Sequence, residues 1–283
     1  MDGYTMIDAL DYFAALVRQD DSIPLFEAAL AIAQEADPRL DLEASQLELD
    51  TLAARLLQRL PADASLLQKL RMLNHYFYEE LGFAGNVNDY YTPDNSYLDR
   101  VISTRRGIPI SLAVVYMELA QQIGLDVKGI SFPGHFLMKL SVQAGDIILD
   151  PFNGASLSRD DLEDRLEPFL DQESEIGEAA LAIFLQAAAP REILVRMLRN
   201  LKGLYQQQQQ WERLLGIQHR LVILLPEQAG ELRDRGLTFE QLECPQAALQ
   251  DFEAYLAARP AAADAKDLRS KLPGLRAAIR RLN

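Results

Sequence analysis

The chain has 283 residues, of which 49% are hydrophobic, and a net charge of −14 at pH 7. This length suits one large domain or two ordinary ones, and the acidity argues against nonspecific association with nucleic acid. No apolar run approaches the roughly 20 residues that span a bilayer, and residues 1–10 lack the pattern of a signal peptide. We therefore expect a cytoplasmic protein that is not bound to a membrane.

The charge is divided unevenly along the chain. Residues 1–189 contain 13 Lys or Arg and 31 Asp or Glu residues, a net charge of −18, whereas residues 190–283 contain 15 and 11, a net charge of +4. Such asymmetry predicts two domains with separate surfaces.

Metal and cofactor chemistry has little support in the composition. The one cysteine, Cys244, excludes a disulfide framework and a thiolate metal site. The three histidines, His75, His135 and His219, do not have the spacing of metal ligands. We predict neither a metal nor another cofactor.

The first third of the chain has apolar residues at helical spacing. This periodicity predicts two helices within residues 5–33, separated at 22–24, then a third over 42–60 and a fourth over 65–81. Gly, Asn, Asp and Pro residues then predict a loop over 82–95.

A buried helix follows at the centre of the first domain. A short helix over 97–104 ends before Gly107, and Pro109 suits the first turn of a helix over 109–123. That helix is apolar around most of its circumference, which is typical of a central, largely buried position.

Three strands are predicted after Gly124, over residues 127–132, 136–142 and 147–149. His135 begins one arm of the resulting hairpin and Asp150 ends the other. Both side chains are therefore expected near the open end of the hairpin, where a bulge or a diagonal contact is needed for them to meet.

The end of the chain contains an internal repeat of 34 residues. After a predicted helix over 157–170 and a polar connection, the motif that begins at Asn200 recurs at Asp234. Its period and its small, aromatic and proline positions are typical of tetratricopeptide helix pairs, with a closing helix over 261–282. Lys202 stands where a glycine is usual.

Four motifs follow one another in the first domain: Asn95-Ser-Tyr-Leu-Asp, Arg106-Gly-Ile-Pro-Ile-Ser-Leu, Pro133-Gly-His-Phe-Leu and Asp150-Pro-Phe. In this order, and followed by the repeats, they resemble the SirB family, which joins a transglutaminase-like domain to tetratricopeptide repeats. The resemblance implies an α+β fold: a helical N-terminal section and a papain-like domain with a small antiparallel sheet, then an all-α repeat region. We predict a first domain over 1–171, a connecting segment over 172–192 and repeats over 193–283.

The resemblance also implies catalytic positions, one of which lacks its nucleophile. Active relatives carry a cysteine two residues after the glycine that matches Gly107, and here that position is Pro109. His135 and Asp150 match the other two positions of the triad, where histidine activates the nucleophile and aspartate orients the imidazole. Ser111 is the substitute candidate, but helical geometry points it about 200° away from Pro109.

Two classes of function follow. The first is a non-catalytic, regulatory module that binds a protein or peptide, with His135 and Asp150 kept for structure or ligand binding. The alternative is an amide or ester hydrolase or acyltransferase that uses Ser111, His135 and Asp150. Arg105, Arg106 and Asn95 are the candidate ligand-binding residues, because arginines beside free amides at a helix start favour an anion. The oligomeric state stays open.

Overall fold

The computed structural model describes residues 8–169 and 178–282, which form an α+β structure. Its helices are α1 (Ala9–Leu16), α2 (Leu25–Ile32), α3 (Leu42–Leu57), α4 (Leu66–Asn74), α5 (Leu98–Thr104), α6 (Pro109–Gln122), α7 (Arg159–Leu166), α8 (Glu178–Phe184), α9 (Pro190–Gln207), α10 (Trp211–Leu224), α11 (Ala229–Gln241), α12 (Pro245–Ala258) and α13 (Ala265–Leu282). Its strands are β1 (Ala84–Gly85), β2 (Arg106–Gly107), β3 (Val127–Ile130), β4 (Leu137–Val142), β5 (Gly145–Leu149) and β6 (Ser156–Leu157).

The chain divides into two compact units. The larger unit is the described part of residues 19–197, and the repeat unit combines residues 8–18 with 198–282. This division differs from the predicted domains, in which residues 1–171 formed one domain and the repeats began at 193. The reason is α1, whose buried Phe13 lies beneath the guanidinium of Arg220 in α10, 5.8 Å from the ring centroid.

Helix α6 is the centre of the larger unit and ends one residue before the predicted position. Most of its side chains are buried, as the apolar sequence requires, and α2, α3, α4 and α5 all pack against it. Pro109 occupies the first turn, where a missing N–H costs nothing because the first amides of a helix have no partner within it.

The main sheet is antiparallel, with the strand order β3-β4-β5-β6. Met138 in β4 pairs with Leu149 in β5, so Asp150 follows directly after the paired part of the hairpin. One face packs on α7 and α8 through a buried apolar cluster that includes Phe132, Leu137 and Leu166. Two short pairings were not predicted: β5 with β6, and the parallel pair β1 with β2.

The fourth predicted helix changes geometry along its length. It is α-helical over Leu66–Asn74 and then a π-helix over His75–Glu80. Such turns often occur at functional sites because they redirect side chains. Here the Tyr76 hydroxyl donates to Leu52 O, whereas the Tyr78 hydroxyl donates to Pro151 O at 3.1 Å.

The helices of the repeat unit recur with the predicted 34-residue period, since α11 ends 34 residues after α9 and α12 begins 34 residues after α10. Gly236 in α11 allows close packing, since a Cβ atom there would lie 2.6 Å from the buried ring of Phe252 in α12. The equivalent position in the first repeat is Lys202, which instead forms ion pairs with Glu231 and Asp234 at 2.7 Å. The closing helix α13 begins four residues later than predicted.

The predicted connecting segment is not entirely irregular. Helix α8 lies within residues 172–192, and α9 already begins at Pro190. Part of the predicted segment, residues 172–177, lies outside the described residues. None of the described helices combines the length and the hydropathy that crossing a bilayer requires.

Candidate functional site

His135 and Asp150 meet at the open end of the β4–β5 hairpin. His135 lies in the loop before β4, and its Nε2 atom is 2.9 Å from Asp150 Oδ1. The contact is diagonal, because the residue opposite Asp150 in the extended register is Leu137. The imidazole is 25% exposed and the carboxylate 5%, so the pair joins a buried anion to a ring that solvent reaches.

The Asp150 carboxylate accepts two further hydrogen bonds. The Phe152 N–H donates to Oδ1 at 2.9 Å, and Arg165 Nη2 in α7 donates to Oδ2 at 2.9 Å. Burial alone raises the pKa of Asp150, but the hydrogen bonds from His135, Phe152 and Arg165 outweigh it and hold the pKa below the ordinary value of 3.8. Asp150 is therefore the ionised centre that joins β5, α7 and the His135 loop.

We expect Asp150→Asn to lower the free energy of unfolding by about 1–3 kcal/mol at neutral pH, because three donors lose a charged acceptor. A depressed carboxyl pKa stabilises the fold above the unfolded-state pKa, and this contribution is lost as pH falls through the folded value. The difference between the variant and the natural protein should therefore shrink below about pH 4. Urea unfolding at several pH values measures the difference in unfolding free energy between the two proteins. A difference that does not change with pH would contradict a lowered pKa of Asp150.

Ser111 does not join this pair. Its side chain is fully buried, and its hydroxyl lies 2.5 Å from Asn95 O and 3.0 Å from Ile108 O, while the Ile108 N–H donates to it at 3.2 Å. In the described parts of the chain, no serine or threonine hydroxyl and no thiol is hydrogen-bonded to His135. The structure thus brings together His135 and Asp150 but not Ser111.

Ser111→Ala is expected to reduce the free energy of unfolding by about 1–3 kcal/mol, because the Asn95 and Ile108 carbonyls lose a buried donor. Ser103→Ala is the matched control, since that hydroxyl is exposed and bonds only within its own helix. Chemical denaturation of both variants provides the comparison. If Ser111→Ala and Ser103→Ala both lowered the free energy of unfolding by the same small amount, the buried hydroxyl would have no structural role.

The three candidate ligand-binding residues contact their own chain. Asn95 is buried and donates to Asp89 O and Tyr90 O. Arg105 pairs with Glu48 at 3.0 Å, and Arg106 donates to Gly82 O at 2.6 Å.

One premise of the anion site needs correction. The Ile108 amide is not free, because it donates to Ser111 Oγ and to Asn95 O. The Ser111 side chain caps this helix start from within the fold. Anion binding by Arg105 and Arg106 stays a prediction.

Sequence reasoning missed three residues that position the pair. Arg165 reaches Asp150 from α7, and Tyr78 holds the Pro151 carbonyl through the π-helix. Arg196 in α9 donates to Ser131 Oγ, to Phe132 O and to His135 O, all within 2.9 Å. No local pattern marks these residues, because each contacts a segment distant in the sequence.

A concave site, separate from the His135–Asp150 pair, lies in the repeat unit. It has a volume of about 650 Å³, and its apolar lining includes Trp211, Leu214, Leu237 and Leu268. We call it the repeat groove. Its basic residues have partners: Lys202 pairs with two carboxylates, and Arg233 pairs with Asp234 and Asp264. The groove therefore offers apolar surface with neutralised charges, which suits apolar side chains of a ligand better than a free anion.

Comparison with known sequences identifies both regions. The sequence model of the transglutaminase-like superfamily matches residues 43–199, and that of the tetratricopeptide repeat matches residues 201–273. A UPF0162 protein of Xylella fastidiosa is 38% identical, over 90% of this chain and 91% of its own. A UPF0162 protein of Pseudomonas aeruginosa is 34% identical, over 82% of this chain and 83% of its own. Protein SirB1 of Salmonella typhimurium is 29% identical, over 74% of this chain and 75% of its own. No solved structure matches the chain.

Proposed function

The chain belongs to the SirB family of transglutaminase-like proteins with tetratricopeptide repeats, and from this premise we propose that it is a non-catalytic, regulatory binding protein. The proposal assigns binding of a protein or peptide partner to the repeat groove. It assigns a structural role to His135 and Asp150.

The proposal depends most on the residues found at the two candidate nucleophile positions, 109 and 111. Pro109 stands where the family resemblance places the catalytic cysteine, and proline has no nucleophilic atom. The substitute, Ser111, is buried and engaged with backbone groups of Asn95 and Ile108. A general base acts only on a proton within hydrogen-bond reach, and the Ser111 hydroxyl is not bonded to His135.

A structural role explains the His135–Asp150 pair without catalysis. The two side chains connect the loop before β4 to the segment after β5, and Arg165 extends the connection to α7. An ionised, buried carboxylate needs several donors, and His135 is one of three. Retention of the pair in a protein without a nucleophile is therefore expected on stability alone.

The repeat groove supports the assignment of partner binding. Helix pairs of this type present a concave surface formed by neighbouring repeats. In this chain both Leu237 and Trp211 line the concave surface. The Leu237 side chain is 39% exposed and Trp211 is half-buried. An exposed apolar side chain in a concave site gains from burial by a ligand.

Trp211 is the only tryptophan of the chain, so its fluorescence reports directly on the groove. The probe is a synthetic dodecapeptide selected from a random phage-displayed library against the full chain. We expect the peptide to change Trp211 emission, and Leu237→Asp to weaken binding by at least about tenfold because it places a charge in the apolar contact. Leu57→Asp, an exposed position outside the repeat unit, is the control. Equal affinity for the natural chain and Leu237→Asp would refute binding in the groove.

A further inference from the structure

An exposed aromatic loop lies in the larger unit, outside the repeat groove. We call residues 86–92 the tyrosine loop. Three of its side chains are large and apolar or aromatic, yet Val87 is 76% exposed, Tyr90 41% and Tyr91 72%. Single exposed apolar residues are ordinary, but three within five positions, two of them with rings in contact, make this loop a candidate interaction surface.

Buried polar residues hold this loop in place. Asn95 donates to the backbone carbonyls of Asp89 and Tyr90 at 2.7 and 3.0 Å, and its Oδ1 accepts from Asn86 Nδ2 at 2.9 Å. Asn86 Oδ1 in turn accepts the Asp89 N–H at 3.2 Å. The Ser111 hydroxyl lies 2.5 Å from Asn95 O, which connects the network to α6. The fold therefore maintains a defined conformation for side chains that contribute little to its core.

The rings form an open corner. The Tyr90 and Tyr91 ring centroids are 5.2 Å apart with an angle of 77° between the planes, and Phe152 lies 6.4 Å from Tyr90 at 46°. Faces of tyrosine rings attract Lys and Arg side chains through the ring quadrupole. Ring faces carry the negative part of the quadrupole and ring edges the positive part, so a cation is expected against the faces of these exposed rings.

The surrounding charges favour a cationic ligand. Asp89 and Asp94 are exposed, and within the described residues neither side chain forms an ion pair. The opposing charge near Tyr90 is that of Arg196, which is directed to Ser131, Phe132 and His135. Residues 1–189 have a net charge of −18, so the wider surface also attracts positive charge.

We propose that the tyrosine loop is a docking surface for a positively charged segment, rich in Arg or Lys, of a partner protein. Cationic side chains contact the Tyr90–Tyr91 corner while Asp89 and Asp94 attract the same segment. This surface is separate from the repeat groove and goes beyond the function proposed above. Its chemistry also differs, because the groove offers neutralised charges, whereas the tyrosine loop offers exposed rings together with the exposed carboxylates of Asp89 and, two residues after the loop, Asp94.

The test uses the full chain and a fluorescein-labelled hexa-arginine peptide, with hexa-glutamate as the charge-reversed probe, followed by fluorescence anisotropy. We expect hexa-arginine to bind and hexa-glutamate not to bind. The double variant Tyr90→Ala and Tyr91→Ala should lose about tenfold in affinity although its net charge is unchanged. The double variant Tyr90→Phe and Tyr91→Phe keeps the rings and should stay within about twofold of the natural chain.

Two outcomes overturn the proposal. If the alanine variant binds hexa-arginine as tightly as the natural chain, the peptide is attracted by bulk acidity and not by the rings. If hexa-glutamate binds equally well, the surface does not select charge. Asp89→Asn with Asp94→Asn is the independent variant, since both side chains are exposed and their replacement spares the fold. This variant should also bind hexa-arginine more weakly than the natural chain does. An unchanged affinity would contradict the attraction of the segment by these two carboxylates.

Discussion

Replacing Asp251 with alanine is expected to lower the free energy of unfolding of the repeat unit by about 3–5 kcal/mol. Arg235 donates from Nε and Nη2 to the two Asp251 oxygens, both at 2.7 Å, and the Asp251 side chain is 8% exposed. Removal of the carboxylate leaves a mostly buried guanidinium without its anionic partner, although its Nη1 still lies 3.2 Å from His219 Nδ1. Thermal and urea unfolding of the full chain, monitored by circular dichroism, measure the effect.

A surface ion pair in the same unit provides the control for Asp251. Lys271 pairs with Glu240 at 2.6 Å, but the lysine side chain is 41% exposed. Glu240→Ala is therefore expected to cost less than about 1 kcal/mol. Similar losses for the two variants would show that the Arg235–Asp251 pair is no more stabilising than a solvated one.

Arg196→Ala is expected to destabilise the larger unit by about 2–4 kcal/mol, because three charge-assisted hydrogen bonds, two of them partly buried, are lost together. The guanidinium donates to Ser131 Oγ, Phe132 O and His135 O, and it also lies 5.6 Å from the Phe136 ring centroid. Burial lowers the pKa of Arg196, and the nearby Tyr90 acts in the opposite direction without cancelling this effect. The loop that carries His135 should become mobile in the variant.

Nuclear magnetic resonance of the His135 ring tests that second effect. We expect the His135 signals of Arg196→Ala to broaden or shift, whereas Arg199→Ala, in the same helix but 52% exposed, should leave them unchanged. Arg196→Lys keeps the charge without the planar fork and should give an intermediate result. Unaltered His135 signals in Arg196→Ala would mean that other contacts hold the loop.

The main elements of the larger unit follow from local sequence patterns. The buried helix over Pro109–Gln122 and the β4–β5 hairpin are strongly periodic, and hairpin geometry then brings His135 and Asp150 together. The π-helix over His75–Glu80 was missed because its apolar spacing resembles that of an α-helix. Strand β6 has two residues and exists only because β5 provides its partner.

The parts of the site that sequence reasoning missed depend on contacts distant in the chain. Arg165 and Arg196 are ordinary basic residues of amphipathic helices until the fold places them beside Asp150 and His135. The same limit applies to Ser111, whose helical direction was predicted but whose partner Asn95 was not. Helix α1 groups with the repeat unit for a similar reason, because only packing reveals the Phe13 contact with Arg220.

The central claim, that no nucleophile operates beside His135, is tested most directly with a fluorophosphonate probe. The natural chain is incubated with the probe and analysed by intact-mass spectrometry and peptide mapping, with His135→Ala as the matched variant. The buried Ser111 hydroxyl predicts no adduct on either protein. A Ser111 adduct on the natural chain that disappears in His135→Ala would contradict the claim and establish a serine enzyme.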